Sequence, residues 1–485
     1  MTTLRQYSTG FSTTLGGLWS KANLKALFLL WLPVLLVSAF VGLCCVVLPW
    51  WLNAGLAGAV AYACMLWLWP WLGFGVYVFI ALVAPDFKIA DAATVGTMFI
   101  LGFKLWTSGR VAPPFPRRLY WVGLLFAAIV LASFALAIVY FHNKVPNLYR
   151  DGRAFLYWLW LPLLWRMTAS QADGVQKLVR VMVGIAVTVV LLAVFQWVTG
   201  MQVVAVGLVA SLGTTSGFKE EVTRVQMPGF LFVSWAVIWL ALQTLYKRVN
   251  LFVGGGLMLL LLLGLYVNFG RGLWVWTFIG VLTPVFFIGS GRSAKLLITL
   301  IVGGVLSFGT LAVFKPAVIE NVTNRLSSVQ KEGGKNTSYG WRELENQEAM
   351  ITLRRSPVIG VGMGGEYRPW VHQLHLFYEH VRYIHNSYLF IALKIGIPGL
   401  LCLLLLYWRA WNGARKGLRT VADQNRITLL SCLSFFPVSM GLSITQPEFM
   451  NTYSVLLFVF LIVIFANCFV PDAKTARTRR GVGAA

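Results

Sequence analysis

Long apolar runs recur along the chain, and they limit the folds open to it more than any other feature. Leu251–Val267, Leu296–Val313, Leu389–Trp408 and Val455–Val470 are four of them. A helix crosses bilayer hydrocarbon with about 20 mostly apolar residues, so these runs predict spanning helices. Only 12% of the 485 residues are charged, 58% are hydrophobic, and the mean hydropathy is +0.74. A soluble domain carries roughly 25% charge. Most of this surface must therefore face lipid, and the expected fold is an all-α, polytopic membrane bundle.

The formal net charge is +24. In a soluble protein that would suggest nucleic acid. Here positive charge gathers in cytoplasmic loops by the positive-inside rule and meets anionic lipid there, so membrane lipids, and no nucleic acid, are the expected partners. Crossings are expected near Ala92–Trp106, Tyr120–Phe141, Ala154–Trp165, Leu178–Val198, Phe230–Tyr246, Leu251–Val267, Leu273–Ile288 and Leu296–Phe314. Three more follow near Tyr388–Trp408, Ile427–Leu442 and Tyr453–Val470. With residues 26–84, whose helix count stays open, the total is about 12.

Arg110/Arg117/Arg118, Arg166/Lys177/Arg180, Lys247/Arg248, Arg292/Lys295 and Arg409/Arg415/Lys416/Arg419/Arg426 occupy alternate loops, and the tail adds Lys474, Arg477, Arg479 and Arg480. One orientation puts all of these in the cytoplasm, with both chain ends. The expected layout is a cytoplasmic segment (1–25), a first part of the bundle (26–314), a large extracytoplasmic loop (315–386), three last helices (387–470) and a basic tail (471–485). The N-terminus shows no small-residue cleavage site after a short apolar core, so the first apolar stretch is read as retained. All six cysteines lie in apolar stretches, away from any metal-type spacing, and read as small apolar helix residues.

Polar resources concentrate in the large loop, which holds His372, His375, His380 and His385 of the five histidines and seven of the sixteen acidic residues. Trp341, Leu344, Met350, Ile351 and Leu353 mark one loop helix ended by Pro357, and Pro369–Tyr383 a second, together forming a lid or wall above the bundle. Arg271, between Gly270 and Gly272, stands between two apolar helices with no acidic neighbour in sequence. A cation at membrane depth faces a cavity or a partner, and guanidinium suits phosphate oxygens; snorkelling to lipid headgroups is the other reading. Arg224 precedes a crossing, with Glu220 or Glu221 able to neutralise it. Arg342 lies early in the loop helix and could pair with Glu345 or Glu348. Arg150 and Arg153 are further candidates for an anionic ligand, with headgroup anchoring the favoured reading. His385 stands just before a crossing, where a histidine can exchange protons near neutral pH as a general base or serve structurally. His372 and His375 miss the i, i+4 spacing of zinc helices, so no metal is expected. The run Gly360–Gly365 lacks the Lys-Ser/Thr ending of a P-loop and reads as a turn.

The string His385-Asn386 followed by Gly396-Ile397-Pro398-Gly399 resembles the signature closing the periplasmic loop of O-antigen ligases. Arg342 and the stretch Pro357–Gly364 are similar to the loop pattern before it, and Arg271-Gly272 resembles the Ser-Arg-Gly turn of the wider ligase and polymerase superfamily, with Gly270 in place of the serine. Arg224 takes the place of an arginine that family members carry ahead of the conserved half. The resemblance runs from about Arg224 to Val470. It implies a bacterial inner-membrane glycosyltransferase of the GT-C type, without metal or cofactor. Its donor would be undecaprenyl pyrophosphate-linked O-antigen and its acceptor lipid A–core oligosaccharide in the periplasm. The arginines would hold pyrophosphate and His385 would act as base. An O-antigen polymerase or a protein O-oligosaccharyltransferase shares that donor. A lipid-linked glycan transporter is the alternative from another class.

Overall fold

The structure is a computed structural model that describes residues 50–84, 87–109, 112–201, 208–212, 222–289, 338–369, 381–421 and 423–467, with positions 291, 293–295, 297, 298, 320 and 323. Contacts divide the chain into two units, 1–68 and 69–485. In the first, the described part is one apolar helix, α1 (Trp50–Leu68), without a charged residue. The expected segment 1–25, the crossing at 296–314 apart from positions 297 and 298, and the tail 471–485 lie outside the described residues.

The second unit begins with α2 (Pro70–Val83), α3 (Phe87–Thr107), α4 (Arg117–Val139), α5 (Val145–Leu156), α6 (Trp160–Ala169) and α7 (Gly174–Thr199). An antiparallel pair follows, β1 (Leu208–Leu212) with β2 (Val222–Gln226), and then α8 (Phe230–Leu245), α9 (Leu251–Asn268) and α10 (Arg271–Leu282). After α11 (Ser338–Arg355) come α12 (Ser387–Gly417), α13 (Asp423–Thr445) and α14 (Thr452–Asn467).

Among the described residues, six helices are long and apolar enough to cross a membrane, and five shorter apolar ones accompany them. The chain is a mostly helical, multi-pass membrane protein. Its core is α14, buried from Thr452 to Ala466, with α6 and α12 packed on it and α13 lying against α8, α10 and α12. Lipid tails are as apolar as the side chains, so packing and interhelical hydrogen bonds hold the helices together. Ser431, Ser434, Ser439 and Ser443 are fully buried on α13 and keep that helix slim. Ser234 and Thr277 join α8 to α10 through their hydroxyls at 2.7 Å. Such a bond averages about 0.6 kcal/mol, so close packing along whole helices dominates. Phe252, Leu259 and Phe286 point outward, as lipid-facing residues should.

Three expectations are corrected. Ala154–Trp165 is not one regular α-helix: the chain passes from α5 through a short 3-10 turn, Tyr157–Leu159, into α6. Pro162 has no N–H to offer the Trp158 carbonyl, which weakens a continuous helix there. The fold is not purely α, because β1 and β2 pair from Leu208↔Gln226 to Leu212↔Val222, where β-branched Val222, Thr223 and Val225 suit a strand. Of the expected helix Pro369–Tyr383, the described residues Pro369 and Val381–Tyr383 are not helical; the rest lies outside the description.

Candidate active site

The described portion of the large loop meets the bundle at one end, where α12 and α14 begin and α13 finishes. α12 starts at Ser387 because Asn386 caps it, its side chain accepting the N–H groups of Tyr388 (3.0 Å) and Leu389 (3.2 Å). A cap of this kind is worth about 1 kcal/mol. Ser387 Oγ donates to the Gln446 carbonyl (2.7 Å) and accepts the Phe449 N–H (3.2 Å). The start of α12 is therefore stitched to the α13–α14 turn.

His385 sits just before that cap. The Glu345 carboxylate holds it: Oε2 accepts the His385 backbone N–H (3.0 Å) and lies 2.8 Å from Nδ1. α11 presents Glu345 on its buried stripe with Trp341, Ala349 and Leu353, while Met350 and Ile351, expected on the apolar face, are exposed. A side chain 1% exposed makes this a sheltered carboxylate; the His385 side chain is 17% exposed. A carboxylate on Nδ1 keeps the ring proton there and makes Nε2 the proton acceptor. Tyr383 stands edge-on to the imidazole, ring centroids 4.9 Å apart. Burial, reinforced by the Glu345 charge, raises the Tyr383 hydroxyl pKa above its ordinary value, so the phenol stays neutral. Arg342 is half-buried one turn before Glu345, and its charge acts on Tyr383 in the opposite sense.

Arg271 opens α10 after a two-residue turn: Phe269 takes the left-handed region (φ 50) and Gly270 is extended. A side-chain carbon at Gly272 would lie 3.9 Å from both Gln446 Nε2 and Thr445 Oγ1. The Thr445–Gln446 turn thus touches the Arg271 segment and, through Ser387, the His385 segment. Both lie at one end of the bundle. Arg224 is in β2, opposite Ala210, and the neighbouring Val225 carbonyl accepts from Asn268 Nδ2 at 3.4 Å, so β2 rests on the α9–α10 turn.

The glycines of the signature serve the backbone. Gly396 interrupts α12 with φ 77 and ψ 167, and the kink lets Ile397 N–H donate to the Pro357 carbonyl (2.9 Å) and Val361 N–H to Leu393 (2.7 Å). Gly399 follows on the resumed helix. In the run Gly360–Gly365, the N–H groups of Gly360, Val361, Gly364 and Gly365 all donate to protein oxygens, which argues against a phosphate cradle. Arg153 is not a headgroup anchor: it pairs bidentately with Asp91 (3.0 and 3.1 Å) and lies over Phe87. Arg150 is exposed. His372, His375 and His380 lie outside the described residues.

Several neighbours escaped the sequence reading. Glu448, buried beside Ser387 in the α13–α14 turn, accepts a hydrogen bond from Ser454, and burial pushes its carboxyl up to about 7. Asp151, Arg382 and Lys394 form a second ionic group. The available signal was Lys394, an ionisable residue inside an apolar run, which by default marks function or a buried partner. No local pattern announced Glu345 as the partner of His385.

No curated protein matches the chain significantly. Residues 256–404 match the family model Wzy_C, O-Antigen ligase, a segment that includes Arg271, Arg342, Glu345, His385, Asn386, Gly396 and Gly399. Arg224 precedes it. Over residues 256–404, the chain is similar to the O-antigen ligase family.

Proposed function

We propose that the protein is a metal-independent, inverting O-antigen ligase of the GT-C type, with about 12 crossings and its site on the periplasmic face of the bacterial inner membrane. The donor is undecaprenyl pyrophosphate-linked O-antigen and the acceptor is lipid A–core oligosaccharide. The observation that carries this reading is the Glu345–His385 pair inside the matched segment. His385 Nε2 removes the proton from an acceptor sugar hydroxyl as its oxygen attacks the anomeric carbon. The bond from that carbon to the pyrophosphate oxygen breaks on the opposite face, which inverts the centre. Undecaprenyl pyrophosphate leaves with the electron pair. Arg271, Arg224 and Arg342 hold the diphosphate and stabilise its growing charge. Glu345 fixes the tautomer and steadies the imidazolium formed in the step.

Two outcomes are expected here. Arg271→Ala raises the Kd for the carrier diphosphate by at least about tenfold, and Arg271→Lys restores it only in part, because an ammonium lacks the bidentate fork. Unchanged donor affinity removes the clamp. Glu345→Gln keeps the shape but lowers kcat by about 100-fold or more, with donor KM unchanged; a wild-type kcat contradicts the orienting role.

A polymerase or a protein O-oligosaccharyltransferase differs from this reading in the acceptor. The deciding experiment incubates purified protein and carrier-linked glycan with lipid A–core, a peptide or a second carrier-linked glycan, each without metal or ATP. Modification of lipid A–core supports ligation; modification of another acceptor alone reassigns the activity. A glycan crossing proteoliposomes without transfer would favour transport.

A further inference from the structure

We infer that Asp151 is a positioning residue that holds the His385 segment in place through Arg382 and Lys394. The inference builds on the reading of His385 as the reacting base. Lys394 is fully buried in α12, and an ammonium out of water persists only when paired. Its Nζ lies 2.8 Å from Asp151 Oδ2 and donates to the Gly365 carbonyl at 2.6 Å. The same Oδ2 accepts the Gly364 N–H at 3.0 Å. The other oxygen, Oδ1, faces Arg382 Nη1 at 3.4 Å, and that nitrogen also reaches the Asn147 carbonyl at 3.4 Å.

One carboxylate therefore grips three pieces of chain: the glycine turn, α12, and the turn three residues ahead of His385. Room for this exists because Gly364 lacks a side chain; a carbon there would sit 2.6 Å from the Leu148 nitrogen. The anchor itself is firm. On another face of α5, Arg153 pairs with Asp91, which also accepts from the Tyr149 hydroxyl at 2.6 Å. His385 thus hangs between Arg382 on one side and the capped start of α12 on the other. Glu345 holds its backbone N–H at 3.0 Å, a contact that slack at Arg382 would loosen. Asp151 precedes the family match, whereas Gly364, Arg382 and Lys394 all fall within it, so the N-terminal half completes the site.

Diethyl pyrocarbonate labelling of the detergent-purified full chain, read by mass spectrometry, tests this without relying on transfer. Exposed His142 is the internal reference. The His385 to His142 labelling ratio should rise about tenfold in Asp151→Asn, and rise less in Arg382→Gln, with Arg382→Lys partly restoring it; kcat should fall about 100-fold at unchanged donor KM. If Asp151→Asn does not fold, Asp151→Asn/Lys394→Met removes the charge with its partner, and Arg382→Gln leaves the buried pair intact. Wild-type ratios in the folded variants overturn the proposal. If the wild type transfers no glycan to any acceptor, the functional reading fails, while the labelling ratio still tests the positioning.

Discussion

His385→Ala is expected to lower glycan transfer by at least about 100-fold, and toward the 10⁴-fold upper range of general acid–base catalysis. The variant should remain folded and in the membrane. Loss of the imidazole removes the proposed base, yet the Glu345 carboxylate keeps one of its bonds, because the donor at 3.0 Å is the backbone N–H of residue 385. The loss of stability is then the cost of one vacated carboxylate contact, about 1–3 kcal/mol. Donor binding, which the proposed function assigns to the arginines, should be unchanged. The checks are initial rates of transfer to lipid A–core, diphosphate affinity and a melting curve in detergent. Transfer at the wild-type rate would remove His385 as the base. A lost rate accompanied by lost folding would return it to a structural role.

Gly396→Ala should show the opposite pattern, failing in folding before chemistry is reached. At φ 77 and ψ 167 the residue occupies a region that is essentially glycine-only. A side-chain carbon there would lie 1.7 Å from the Val358 carbonyl oxygen and 2.5 Å from its carbon. Backbone strain alone costs about 1–3 kcal/mol, and the clash is relieved only by prising the 357–361 segment off α12. The bonds from Ile397 to Pro357 and from Val361 to Leu393 would be sacrificed. A much lower yield of folded protein and a clearly reduced Tm are expected. Gly399→Ala is the comparison and should cost less: its new carbon would lie 2.5 Å from the Ile395 side chain, which can shift where a backbone carbonyl cannot. Equal Tm for Gly396→Ala and wild type would contradict the seam.

What the sequence by itself determined was the solvent and the periodic elements. Apolar runs such as Leu251–Val267 and Tyr388–Trp408 correspond to α9 and α12, because hydropathy and helix length are local properties. The break at Arg271 between two apolar helices, the helix ended before Pro357 and the signature at His385-Asn386 were legible for the same reason: caps, prolines and glycines act within a few residues. Only the tertiary structure decided which polar groups meet. Glu345 reaches His385 across 40 residues, and Asp151 reaches Lys394 across a far longer stretch of chain. Buried charges find partners through space, and sequence spacing does not encode which helix face a distant segment will cover. The same limit explains Arg153, whose apparent freedom vanished once Asp91 on α3 lay beside it, and the glycine turn, whose N–H groups were already committed to protein oxygens.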